Sequence, residues 1–69
     1  MSTLHLTING AKRTESGPLT LAGLLDRLAL DRGAVVVERN REIVRRAQLG
    51  DVQVADGDVI ELVHFVGGG

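Results

Sequence analysis

The chain contains no cysteine, no tryptophan and no tyrosine, and Phe65 is its only aromatic residue. The missing cysteine excludes a disulfide framework, a thiolate metal site and a cysteine nucleophile. It also fits a reducing compartment. With one aromatic residue the core has to be aliphatic, and stacking platforms for single-stranded nucleic acid are lacking. Charge is nearly balanced, with a formal net value of −1, so no whole-molecule attraction to nucleic acid or anionic membrane is expected. No apolar run approaches the roughly 20 residues of a membrane-spanning helix. The start, Met1-Ser2-Thr3-Leu4-His5, lacks the basic and apolar regions of a secretory signal, and a soluble cytoplasmic protein is the expectation. Sixty-nine residues make a single small domain, and the 43% hydrophobic share argues against disorder.

What is present follows a clear order. Leu4, Leu6 and Ile8 alternate with polar residues, as in a half-buried strand. Asn9-Gly10 is a strong signal for a two-residue hairpin turn. The return strand, about residues 11–16, is polar throughout and reads as a charged edge. Ser16-Gly17-Pro18 breaks it. Thr20 is placed as a helix N-cap, with Leu19 and Leu24 at the positions of a hydrophobic staple. Leu21, Leu24, Leu25 and Leu28 then form one apolar stripe. Asp31-Arg32-Gly33 is expected to end the helix, with Gly33 in a left-handed cap. Val35, Val36 and Val37 form a β-branched strand, and residues 38–42 turn it back into Ile43 and Val44. Residues 45–54 lose periodicity and read as a crossing loop pinned by Leu49, Val52 and Val54. After the Asp56-Gly57 turn, a last strand runs from Asp58 to about Val66. One helix has to cover one face of a mixed sheet. The first and last strands carry the strongest alternation and are placed side by side, parallel, in the middle. This α+β order, ββαβββ, is the ubiquitin-like β-grasp arrangement, with residues 1–66 as the domain and 67–69 as a flexible glycine tail.

The tail is the least ordinary feature. A patterned strand runs directly into Gly67-Gly68-Gly69. Glycine gives up the most backbone freedom on ordering, so this stretch is expected to be mobile in the free protein. It is also thin enough to enter a narrow channel and to carry the Gly69 α-carboxylate into another protein's active site. On the last strand, Ile60 and Leu62 share the core parity, whereas Glu61, Val63 and Phe65 share the other. Exposed apolar residues mark interaction sites, so Val63 and Phe65 are candidate docking residues. Asp56, Asp58 and Glu61 are read as an acidic rim that steers toward a basic partner.

Other constellations carry less. His5 and His64 have no third ligand at metal spacing. Arg39, Arg41, Arg45 and Arg46 are diluted by Glu38 and Glu42 and read as a solvated hairpin. No nucleophile–base–acid set is evident, and the domain reads as something acted upon.

Taken together, the Asn9-Gly10 hairpin, the Thr20-Leu21…Leu24-Leu25…Leu28 helix, the 37–44 hairpin and the stretch from Asp56-Gly57-Asp58 to Gly68-Gly69 resemble the sulfur carrier proteins of thiamine biosynthesis, the ThiS family. The resemblance spans essentially the whole chain. It implies a carrier rather than an enzyme, with no bound cofactor. An ATP-dependent ThiF-like adenylyltransferase would activate the Gly69 carboxylate. Sulfur from a donor such as a cysteine desulfurase would convert it to a thiocarboxylate. Thiazole synthase (ThiG) would then use that sulfur to build the thiazole ring. Gly67 and Gly68 would thread the partner channels, and Val63, Phe65, Glu61 and Asp58 would dock the body. The small subunit of molybdopterin synthase shares the expected fold and tail, and a ubiquitin-like modifier or a plain β-grasp binding module remain alternatives on the residues alone.

Overall fold

A computed structural model describes residues 2–65 of the chain. Five strands form one mixed sheet in the order β2-β1-β5-β3-β4. β1 (Ser2–Ile8) and β2 (Ala11–Gly17) pair antiparallel, from Ser2 opposite Gly17 to Ile8 opposite Ala11. β5 (Val59–His64) runs parallel to β1, with Thr7 opposite Val59, and antiparallel to β3 (Val35–Arg39). β4 (Glu42–Val44) closes the second edge. The adjacency and direction expected for the first and last strands are both present. β5 lies at the centre of the sheet because it must hide Ile60 and Leu62.

Among the described residues there is one α-helix, α1 (Leu21–Arg27), and it covers one face. Leu21, Leu24 and Leu25 meet Leu4, Leu6, Val35, Val37, Ile60 and Leu62 in an aliphatic core. Burial of each such side chain contributes about 1.5–3 kcal/mol. The crossing loop also packs on this side. Its Leu49 and Val54 are buried, and its carbonyls accept the first helical N–H groups: Leu21 N–H to Val52 O and Ala22 N–H to Leu49 O. The Thr20 hydroxyl takes the Gly23 N–H at 3.0 Å. The N-terminal donors that a short helix would leave open are therefore satisfied within the chain.

The helix ends earlier than its leucine stripe implies. Leu28 is the C-cap, and Ala29 takes the left-handed conformation with φ 58. Ala29 N–H bonds Asp26 O and Leu30 N–H bonds Leu25 O, which is the paired pattern of a Schellman cap. The packing of Leu30 against the core offsets the roughly 1–2 kcal/mol cost of a non-glycine residue there. Gly33 instead belongs to a short 3-10 turn, Arg32–Ala34, capped by the Asp31 carboxylate at 2.8 Å. At the other end of the chain, β5 stops at His64, although Phe65 N–H still bonds Ala34 O. Val66 and the glycine tail, with the proposed boundary at residue 67, lie outside the described residues. Among the described residues no helix is long and apolar enough to cross a membrane.

Candidate functional site: the open face of the sheet

Among the described residues nothing covers the face of the sheet away from the helix, and strand alternation decides what it displays. On β5, Ile60 and Leu62 point into the core, so Val59, Glu61 and Val63 point outward. Cross-strand pairing extends the set. Val36 stands opposite Val63, Glu38 opposite Glu61, and Ile43 opposite Glu38. Among the described residues the large hydrophobic side chains left exposed are Ile43 (72%), Val59 (45%), Val63 (59%) and Phe65 (57%). All four belong to this face or continue its parity. The crossing loop does not fold over Val63 and Phe65, because its backbone is committed to the helix side.

The exposure of Val63, Phe65 and Glu61 agrees with the face assigned to them in the sequence. Asp58 requires correction. It is 5% exposed and shares parity with Ile60 and Leu62, so it faces inward and cannot belong to a docking rim. Its Oδ2 accepts Arg39 Nε at 2.7 Å and Ala55 N–H at 2.8 Å, and its Oδ1 accepts the Asn40 amide at 3.0 Å. Burial by itself would raise the Asp58 pKa. The hydrogen bonds from Ala55, Arg39 and Asn40 outweigh it and hold the carboxyl below the ordinary aspartate value. Arg39, counted with a basic cluster in the sequence, is thereby tied into the fold. Asp56 lies in the turn before β5, on the β1 side, where it accepts His5 N–H at 2.7 Å and contacts the His5 ring at 2.9 Å. Those contacts, the backbone one first, lower its pKa. The three carboxylates therefore form no single rim.

Two asparagines hold β5 in place from opposite sides. Asn9 and Asn40 both sit at hairpin turns with φ 50. The Asn9 side chain accepts Leu62 N–H at 2.7 Å and donates to Leu62 O at 3.2 Å. Asn40 accepts Val59 N–H at 2.9 Å while its amide reaches Asp58. Their backbone N–H groups add bonds to Ile60 O and Val59 O. The strand that leads to the tail is thus fixed at several backbone positions beyond the regular ladders. Asn-Gly predicted the first turn, but nothing in the sequence announced this second use of the side chain.

The two histidines do not meet. The parallel register sets the His5 carbonyl against Gly57 N–H, while His64 lies at the far end of β5 opposite Val35. Among the described residues no group of three or more His, Asp and Glu side chains could hold a metal ion. Gly67, Gly68 and Gly69 lie outside the described residues. Ile43 and Val59 are the members of the exposed face that sequence reasoning missed. The parity of Val59 with Val63 was readable, whereas the place of Ile43 required the β3–β4 register.

A five-stranded mixed sheet with β1 and β5 parallel at its centre, one helix on one face and an apolar open face defines a ubiquitin-like β-grasp domain. Residues 6–69 match the ThiS family, and the chain belongs to that family. It is 48% identical over 50 residues to the sulfur carrier protein ThiS of Bacillus subtilis, covering 72% of this chain and 76% of that one. It is 46% identical over 66 residues to a thiazole synthase of Paramagnetospirillum magneticum, where it covers 96% of this chain. The match spans only 20% of the length of that synthase. The crystal structure of the thiamine biosynthesis protein ThiS from Geobacter metallireducens superposes with a TM-score of 0.81 at 36% identity. That superposition covers 96% of this chain and 100% of the other.

Proposed function

We propose that the chain is a sulfur carrier for thiazole formation in thiamine biosynthesis, carrying the sulfur on the Gly69 carboxyl group. The observation that supports this most is the convergence, in a ThiS-family chain, of an exposed apolar sheet face and a central strand leading directly toward Gly67-Gly68-Gly69. A carboxylate is a poor electrophile and must be activated before sulfur can be attached. A ThiF-like adenylyltransferase uses ATP as co-substrate: a Gly69 carboxylate oxygen attacks the α-phosphorus and pyrophosphate leaves. A persulfide sulfur from a donor such as a cysteine desulfurase then displaces AMP. Cleavage of the remaining S–S bond by a thiol leaves the thiocarboxylate. Thiazole synthase takes the sulfur. Fully extended, the four residues after Phe65 reach at most about 14 Å, which suits delivery into a recessed site while Val63 and Phe65 seat the body. The chain itself supplies no catalytic group and acts as co-substrate of these enzymes.

The likeness to a ThiS sulfur carrier and to part of a thiazole synthase supports the thiamine branch over molybdopterin synthesis. Incubation with ATP and the adenylyltransferase of the same genome, followed by intact-mass analysis, tests the proposal. Formation of an AMP adduct confined to Gly69, and its loss when a residue is appended after Gly69, is the expected result. An adduct formed equally well on the extended chain, or none on the native one, refutes it.

A further inference from the structure

The centre of the open face holds an arrangement that the fold alone does not favour. Glu38 and Glu61 are direct partners in the β3–β5 register. Side chains so placed have Cβ atoms about 5 Å apart, and like charges there are destabilising. Neither glutamate takes part in an ion pair or a side-chain hydrogen bond among the described residues. Arg41 and Arg45 flank β4, next to β3, and Lys12 stands on β2, two strands away from β5, but none of them ion-pairs with either glutamate. The large hydrophobic side chains exposed around the pair are Val63, which follows Glu61 on this face of the strand, Val59, which precedes it, and Ile43, which flanks Glu38.

Covering such a face with a purely apolar partner would strip water from two repelling carboxylates, at a cost no apolar contact restores. A second copy of this chain packed isologously would bring four carboxylates together. An anionic membrane surface would be repelled. The geometry points to a protein partner that places one arginine or lysine side chain between Glu38 and Glu61. Apolar side chains around that cation seat on Ile43, Val59, Val63 and Phe65. A guanidinium suits the site best, since its fork can bond both carboxylates at once. This assignment rests on the carrier reading and adds to it the chemistry of the docking partner and a role for Glu38.

The experiment compares the native chain with Glu38→Gln, Glu61→Gln and the double variant, using the adenylyltransferase of the same genome as probe. Urea unfolding and the Kd at low and high salt are measured for each. Relief of repulsion should leave the double variant at least as stable as the native chain. Its Kd should rise at least tenfold and lose most of its salt dependence. Opposite directions for stability and binding are the signature, because a structural role would lower both. A double variant that binds within twofold of the native chain with the same salt dependence overturns the inference while leaving the carrier reading intact. So does one that unfolds at lower urea. A native chain that the enzyme neither binds nor adenylates overturns both.

Discussion

Asp58 offers the sharpest test of how the structure divides fold from docking surface. Replacing it with alanine removes the acceptor of three hydrogen bonds and leaves Arg39, Ala55 N–H and the Asn40 amide without their partner. The Arg39 side chain is 30% exposed, so water can recover part of its loss, and the low end of the range for a charge-assisted bond, about 1.5 kcal/mol, applies. Adding about 1 kcal/mol for each of the other two donors gives roughly 3–4 kcal/mol. A domain of this size has a total stability of only about 3–10 kcal/mol. Asp58→Ala should therefore be severely destabilised, and Asp58→Asn, which keeps the shape and loses the charge, should lose about 2 kcal/mol. Urea unfolding followed by circular dichroism reads both values. The pH dependence follows from the lowered pKa. The unfolded chain binds the proton more tightly, so the contribution of Asp58 is fully present above the ordinary aspartate value of about 4. It is lost as pH falls through the lowered native value. Asp58→Asn should flatten that acid limb. A variant as stable as the native chain, with an unchanged acid limb but weakened partner binding, would refute this account and return Asp58 to the docking surface.

Three further predictions concern the strand and its tail. Asn9→Gly keeps the left-handed turn but removes both side-chain bonds to Leu62, and should cost about 1–3 kcal/mol in urea unfolding. Hydrogen exchange at Leu62 N–H should accelerate with it. Phe65→Asp should weaken binding to the adenylyltransferase severalfold with less than about 0.5 kcal/mol change in stability, as expected for an exposed position. Unfolding of this variant would place Phe65 in the core. Gly68→Val should leave the unfolding transition unchanged and block adenylation, since a β-branched side chain widens the tail and restricts its backbone; normal adenylation would sink the threading idea.

Much of the fold was legible because its signals are local and periodic. The alternation of Leu4, Leu6 and Ile8, the Asn9-Gly10 turn, the Thr20 cap and the leucine stripe each follow from backbone geometry, and all appear in the structure. The helix end was misplaced because Ala29, and not a glycine, takes the left-handed position, held there by the cap hydrogen bonds and by the partly buried Leu30. Val63 and Phe65 were readable by parity from Ile60 and Leu62. The same parity places Asp58 inside, but an aspartate near a turn reads as solvated until its partners Arg39, Asn40 and Ala55 are seen to converge on it. Those partners lie on other segments, so their approach is a property of the register. Ile43 and the Glu38–Glu61 pair were hidden for the same reason.

The central claim is that sulfur is carried on the terminal carboxyl group. Intact-mass measurement of the chain, after co-expression with its adenylyltransferase and a sulfur donor, tests it most directly. The account predicts a species heavier by the difference between one sulfur and one oxygen atom, with fragmentation placing the change on Gly69. An unmodified mass despite an active enzyme and donor would contradict it, as would a ladder of conjugates to other proteins.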